Sequence, residues 1–138
     1  AGAAAVTPFE YARVDLGNLF GADYLSLTGW RHLPAQASWC SAAMRVWHAR
    51  AGIHLHTVTP AARSWLHVGE GVTLEDARPG DVAVLWRGKP GGWQGHVAFL
   101  AKVPEAGEDL LLLGGNQRGS VCERAYPIGR LLGIRRVF

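Results

Sequence analysis

The sequence predicts an α+β fold in which N-terminal helices pack on a mostly antiparallel sheet of about five strands. Three observations predict it: a helical period early in the chain, several strand-like runs later, and short connections between those runs. With 138 residues, 49% of them hydrophobic, the chain is long enough for one core. We expect a single domain over 1–138, with loops and short helices in 1–37 and the core in 38–138.

The clearest helical signal lies between Ser38 and Gly52. Ser38 is a typical N-cap residue, Gly52 is a typical residue after a helix end, and apolar side chains recur between them at three- and four-residue spacing. Cys40 then falls in the first turn. A second short helix is predicted over 60–68, with Thr59 as its N-cap.

The period changes after this second helix. Five apolar runs bounded by glycine, proline and polar residues are typical of strands. They cover 81–86, 96–103, 110–113, 121–126 and 131–137.

Composition and charge exclude several classes of protein. Fourteen Lys and Arg against eleven Asp and Glu give a net charge of +3, but the basic residues are scattered, so a nucleic-acid partner is not indicated. No apolar stretch approaches the roughly 18 residues of a membrane span. Residues 1–5 lack the basic stretch and leucine-rich core of a signal peptide, so we expect none in this chain.

Cys40 is the candidate nucleophile. The positive end of a helix dipole stabilises a thiolate, so a cysteine in the first turn has a lowered pKa, and a base nearby would make it a nucleophile. The alternative is a buried structural cysteine. Cys122 begins a strand without a basic partner, which indicates a small buried side chain. A disulfide between the two cysteines would inactivate the site and is a minor alternative.

His96 and Asn116 complete the predicted catalytic set. His96 opens a strand after a glycine-rich loop, and Asn116 follows the next strand, so neighbouring strands would carry the two side by side. Asn116 would then hold the imidazole in the correct tautomer, although a residue in a Gly-Gly-Asn-Gln segment is also typical of a turn. His54 and His56 lack a third ligand at familiar spacing, so we expect no metal and no cofactor.

Other chemistries fit the sequence less well. A glycosidase needs two carboxylates across a cleft, and the acidic residues that cluster in the sequence are more simply a solvated turn; they are Glu70, Glu75, Asp76 and Asp81. Neither glycine-rich stretch completes a phosphate-binding pattern. Helix spacing places Trp39, Trp47 and Trp65 in the core, whereas Trp86 and Trp93 flank the loop before His96 and are candidates for a substrate-facing wall.

Six short strings resemble, in order and spacing, those of the CHAP and NlpC-type peptidoglycan hydrolases. They are SWCSAA (38–43), AGI (51–53), ARSWL (62–66), PGDV (79–82), GHVAF (95–99) and LGGNQ (113–117). The resemblance extends from about residue 24 to residue 135. It implies a papain-like fold with the nucleophile at a helix N-terminus and a thiol mechanism that needs no metal, with Cys40 as nucleophile, His96 as base and Asn116 as polar third member.

The same resemblance implies cleavage of an amide bond in cell-wall peptides, by an endopeptidase or an amidase. The subgroup tends to have an acidic residue four positions before the cysteine, where this chain has Gln36, a candidate oxyanion donor. Further candidates for substrate or oxyanion contacts are Trp39, Ser41, Trp86, Trp93 and Gln117.

The resemblance also implies a biological setting. An antibacterial effector or a phage lysin would act in the periplasm or cell wall as a monomer with peptidoglycan as its substrate, and an effector would have a dedicated immunity protein. The alternative function is a non-catalytic module that keeps the fold and binds the cell wall or a partner.

Overall fold

A computed structural model describes residues 6–30 and 38–138. Within them lie three α-helices, α1 Pro8–Val14, α2 Gly21–Thr28 and α3 Cys40–Arg50, and two short 3₁₀ helices, Ala62–His67 and Ile128–Arg130. The strands are β1 Glu70–Val72, β2 Val82–Trp86, β3 Gly95–Lys102, β4 Leu110–Gln117, β5 Ser120–Tyr126 and β6 Leu131–Arg136. The predicted α+β class is therefore confirmed.

The strands form one sheet in the order β1-β6-β2-β3-β4-β5, and every neighbouring pair is antiparallel. The sheet has six strands where about five were expected. The additional strand is β1, which pairs with β6 at the sheet edge through Glu70, Gly71 and Val72. It has only three residues and two of them are exposed, so the alternation that marks a strand in sequence is too short to detect there.

Helix α3 begins at Cys40, as its period predicts, but Ser38 does not cap it. The residue before the helix is Trp39, without a side-chain capping bond. The Ser38 hydroxyl lies instead 3.6 Å from the Cys40 sulfur. The second predicted helix forms as the 3₁₀ helix Ala62–His67, and Thr59 is not its cap, because its hydroxyl accepts a hydrogen bond from Ala61 ahead of the helix.

The core lies between α3 and one face of the sheet. Trp47 and Trp65 are fully buried there together with Phe99 of β3. The N-terminal segment belongs to this core as well, because Ala12 of α1 and Tyr24 of α2 are buried in the same cluster. The boundary expected at residue 37 therefore does not separate a peripheral segment from the core.

Asp15 connects the three helices. Its carboxylate accepts hydrogen bonds from the Tyr24 hydroxyl at 2.6 Å, the Trp47 indole at 2.9 Å and Arg50 at 3.0 Å. Partial burial would raise the pKa of Asp15, but these donors lower it below its ordinary value.

Among the described residues, no helix has the length and apolar character needed to cross a bilayer.

Gly115 of β4 lets the start of α3 approach the sheet, and Gly114 lets β3 pack closely against β4. A Cβ on Gly115 would lie 2.6 Å from the Trp39 ring, and a Cβ on Gly114 would lie 2.6 Å from Ala98. Trp39 in turn stacks on Tyr24, with ring centroids 5.5 Å apart. The absence of a side chain at Gly115 therefore leaves room for Trp39 and brings Cys40, which follows Trp39, onto the edge of the sheet.

Candidate active site

Cys40 occupies the first position of α3 and is 2% exposed. The first backbone N–H groups of a helix have no partner within it and carry a partial positive charge, which favours a thiolate at this position. The sulfur lies 3.6 Å from the Ser38 hydroxyl, and His96 and the backbone N–H of Val97 are the other neighbours that act on its ionisation. The start of β3 therefore faces the start of α3, as the sequence predicts.

The pKa of Cys40 reflects a competition between burial and its neighbours. Burial alone would raise the pKa, but the charge of His96 and the hydrogen bonds from His96, Val97 and Ser38 lower it to about 7. The pKa of His96 moves the other way: burial would lower it, whereas the Cys40 charge and contacts with Cys40 and Gln117 raise it. A thiolate and an imidazolium therefore stabilise each other near neutral pH.

The second nitrogen of His96 faces Gln117. Its Nε2 atom lies 2.9 Å from Gln117 Oε1. The amide nitrogen of Gln117 donates to two backbone carbonyls, those of Leu112 at 3.1 Å and Cys122 at 2.6 Å. An inverted amide would turn its oxygen toward those two carbonyl oxygens, so the network fixes Oε1 toward His96.

This orientation sets the tautomer of His96. Because Gln117 Oε1 is an acceptor only, Nε2 of His96 carries a proton and donates it. The remaining ring nitrogen, Nδ1, is then the one available to Cys40. Gln117, expected to contact the substrate or the oxyanion, thus orients and polarises the imidazole instead.

Asn116 was expected in that role, and the structure corrects the expectation. Asn116 has a φ of +58°, and its side chain donates to the Ser38 hydroxyl at 3.1 Å. The pairing of β4 with β5 is interrupted between Gly114 and Gln117. This irregularity turns Asn116 away from the ring and brings Gln117 to it.

The cleft at Cys40 is small. It has a volume of about 60 Å³ and is lined by Ser38, Cys40, Pro60, Ala61, Ala62, Arg87, Trp93, Gln94 and Gly95. Trp93, which was predicted as a wall residue, lines this cleft together with Cys40. Its side chain is 77% exposed. A cavity of about 460 Å³ lies elsewhere, between α2, the second half of α3 and the segment 54–56.

Solved structures of similar shape were found for the chain. The peptidoglycan hydrolase RipB from Mycobacterium tuberculosis is 18% identical, with a TM-score of 0.60 over 95% of this chain and 65% of that one. A lipoprotein-like protein of the NLP/P60 family from Staphylococcus aureus is 18% identical, with a TM-score of 0.55 over 100% and 45% of the two chains. The P60 domain of an antigen from M. avium paratuberculosis is 20% identical, with a TM-score of 0.53 over 95% and 96%.

The chain shares the NlpC/P60 fold. It spans about two thirds of the length of RipB and under half of the S. aureus protein. No protein-family model and no curated protein matches the sequence.

Three of the predicted contact residues lie away from the cleft of this NlpC/P60 fold. Trp39 is buried against Tyr24. Ser41 is buried, and its hydroxyl donates to Thr59 O and accepts from the Trp65 indole. Trp86 donates to Gly129 O and lies under the guanidinium of Arg130. These side chains stabilise the fold, whereas Gln36 lies outside the described residues and its assignment stays a prediction.

Cys122 is a free cysteine and is half-buried, whereas a fully buried side chain was expected. Its sulfur contacts the backbone oxygen of Gln117 at 3.4 Å. Cys40 is free too, so the disulfide alternative is not realised. His54 and His56 have ring centroids 6.4 Å apart, and the described residues contain no group of three or more potential ligands around them.

Two residues at or near the site, Tyr126 and Arg63, were not predicted from the sequence. The Tyr126 hydroxyl lies 3.3 Å from Nε2 of His96, and only the folded sheet brings β5 to this point. Arg63 donates to the backbone oxygens of Lys89, Pro90 and Gln94 at 2.8 to 2.9 Å. It lies in the ARSWL string of the resemblance, but nothing in the sequence indicates which carbonyls it binds.

Proposed function

We propose that the chain is a peptidoglycan hydrolase that cleaves an amide bond in cell-wall peptides by a thiol mechanism. The observation that carries this proposal is the contact between Cys40, at a helix N-terminus, and His96, whose other nitrogen is fixed by Gln117. The similar structures support the substrate class, since RipB is itself a peptidoglycan hydrolase.

In the first step, the Cys40 thiolate attacks the amide carbonyl carbon. The carbonyl oxygen becomes an oxyanion, which the backbone N–H of Cys40 stabilises because it is among the unpaired N–H groups of α3. The C–N bond then breaks as His96 gives its Nδ1 proton to the leaving nitrogen. The products are a thioester at Cys40 and a free amine.

In the second step, neutral His96 removes a proton from water through Nδ1. The hydroxide formed attacks the thioester, the C–S bond breaks, and the product leaves as a carboxylic acid, which releases its proton to water. Throughout both steps the Nε2 proton stays between His96 and Gln117. The thiolate and imidazolium are restored at the end, so no cofactor is consumed.

Digestion of purified peptidoglycan tests this proposal. Wild-type protein is expected to release soluble peptide fragments detectable by mass spectrometry, and Cys40→Ala and His96→Ala are expected to release none while staying folded. Cys122→Ala is the matched control, because it removes the other free thiol without touching Cys40, and it should keep its activity. Fragment release by folded Cys40→Ala would refute the mechanism.

The same digestion separates hydrolysis from the alternative function. A non-catalytic module would co-sediment with peptidoglycan and release no fragments in any variant. The masses of the fragments also identify the bond that is cut. The setting implied by the resemblance, an antibacterial effector or a phage lysin with the cell wall as its site of action, remains a prediction, as does an immunity protein.

A further inference from the structure

A second cavity opens beside the cleft at Cys40. It has a volume of about 380 Å³ and is formed entirely by the β2–β3 loop, residues 87–94. Its lining consists of Arg87, Gly88, Lys89, Gly92, Trp93 and Gln94. Arg87, Trp93 and Gln94 also line the cleft at the sulfur, so the cavity and the cleft are adjacent.

Two cations and one aromatic ring face this cavity. Arg87 and Lys89 are exposed, and neither forms a salt bridge with any residue in 6–30 or 38–138. Trp93 exposes 77% of its surface, although an indole is among the most favourable side chains to bury. Unpaired cations beside an exposed aromatic ring match a ligand with an anionic group and an apolar body.

The loop is held in shape before any ligand binds. The three hydrogen bonds of Arg63 fix the carbonyls of Lys89, Pro90 and Gln94. The backbone closes the loop through Arg87 N to Gln94 O at 3.1 Å. Because the guanidinium of Arg63 donates its hydrogen bonds to the loop backbone, Arg87 and Lys89 are the cations available to a ligand. A preorganised loop of this kind loses little entropy on binding.

We propose that the β2–β3 loop forms a subsite for a carboxylate of the peptide substrate next to the scissile bond, with Arg87 as its main ligand and Trp93 covering the adjoining apolar part. This inference rests on the proposed function, because the ligand must belong to a peptide that also reaches Cys40. The anionic group that a peptide carries is a carboxylate, and the planar guanidinium of Arg87 matches it in a two-point contact.

The position of Arg87 relative to His96 agrees with this subsite. The pKa of His96 is raised overall, and the positive charge of Arg87 opposes part of that rise. A cation there weakens the thiolate–imidazolium pair in the free protein. A bound carboxylate would neutralise that charge, so an anionic substrate would favour the active protonation state.

Binding of matched peptides to the Cys40→Ala protein tests the subsite without requiring hydrolysis. The probes are a soluble peptide prepared from peptidoglycan stems and the same peptide with its carboxylates converted to methylamides, titrated by calorimetry. We expect the carboxylate form to bind about tenfold more tightly. Arg87→Gln should abolish the preference, and Trp93→Ala should weaken both peptides. Lys102→Gln removes an exposed cation at the end of β3 that is distant from His96. This variant should keep the preference for the carboxylate peptide.

Equal affinity for the two peptides, or a preference that survives in Arg87→Gln, would overturn the subsite. In the active protein, Arg87→Gln should raise KM for the carboxylate peptide about tenfold with kcat nearly unchanged. Failure of the proposed function has a different signature, because wild-type protein would then release no fragments from peptidoglycan at all. Fragment release together with equal affinities would reject the subsite alone.

Discussion

At the scale of single residues, the amide of Gln117 decides which nitrogen of His96 is available to Cys40. Two backbone carbonyls hold the amide nitrogen, so the oxygen must face the imidazole. A positioning residue of this type acts through the base and never touches the substrate. Its removal therefore affects the ionisation of the pair as well as the rate.

Replacing Gln117 by Ala should lower kcat/KM about tenfold to a hundredfold, because the imidazole loses its fixed orientation. The pKa of His96 should fall, since the contact with Gln117 raises it. The pH profile of kcat/KM reports both effects. Asn116→Gly is the control variant at the neighbouring position, because glycine tolerates the positive φ there. The kcat/KM of this variant should change far less than that of Gln117→Ala. A larger loss in Asn116→Gly than in Gln117→Ala would contradict the assignment.

The sequence predicts Cys40 and His96 as the catalytic pair because local sequence patterns identify their positions. Helical spacing and a glycine-rich loop place one at a helix start and the other at a strand start. The choice between Asn116 and Gln117 depends on a strand irregularity and on the carbonyls of Leu112 and Cys122. Those contacts form only when β4 pairs with β5, so no local pattern reveals them.

At the scale of elements, Arg63 couples the 3₁₀ helix Ala62–His67 to the β2–β3 loop. Its three donors bind three carbonyls of one loop. Because the loop lines the cleft at Cys40, its position should matter for activity as well as for stability. Arg135 offers a comparison, since it also donates to backbone oxygens, those of Val68 and Gly69.

Arg63→Met should lower the free energy of unfolding by about 1–2 kcal/mol and also lower kcat/KM, because the loop is no longer held. Arg135→Met loses two similar hydrogen bonds at the other end of the sheet. It should lower the free energy of unfolding comparably while kcat/KM stays close to wild type. Chemical denaturation and steady-state kinetics measure the two effects, and equal losses of activity in both variants would contradict the role of Arg63.

Secondary structure could be predicted wherever one element shows its own period. Helix α3 and strands β2 to β6 lie within a few residues of their predicted positions, because apolar spacing marks them. Strand β1 has no such pattern and forms because the edge of β6 offers unpaired backbone groups. The packing of Trp39 on Tyr24 likewise depends on Gly115, a contact between distant parts of the sequence.

At the scale of the whole molecule, a buried histidine links stability to pH. His48 is fully buried, its Nδ1 donates to Met44 O at 2.7 Å, and its Nε2 has no partner among the described residues. Burial lowers the pKa of His48 to about 4. The unfolded chain takes up the proton near pH 6.5, so this residue destabilises the fold progressively as the pH falls from 6.5 to 4.

The loss from His48 amounts to about 3 kcal/mol at most across that range. His48→Phe removes both the titrating group and the unpaired nitrogen, and its ring suits the neighbouring aromatic side chains of Trp65 and Phe99. The variant should therefore gain stability relative to wild type as the pH is lowered from 7 to 5. Denaturation curves at the two pH values measure the difference, and a difference that does not change with pH would contradict this account.

Three elements of the fold surround the sulfur atom of Cys40. Helix α3 supplies the positive end of its dipole, β3 supplies His96, and β4 supplies Gln117 and Gly115, which allows the close approach of α3. The central claim is that this arrangement makes Cys40 a thiolate near neutral pH.

The pH dependence of alkylation tests that claim most directly. The rate of reaction of Cys40 with iodoacetamide, located by peptide mapping in the Cys122→Ala protein, should reach half its maximum near pH 7. In His96→Ala the midpoint should move upward, because burial then acts without the imidazolium. A midpoint at about 8.5, the value of an ordinary thiol, or one that does not move in His96→Ala, would contradict the account.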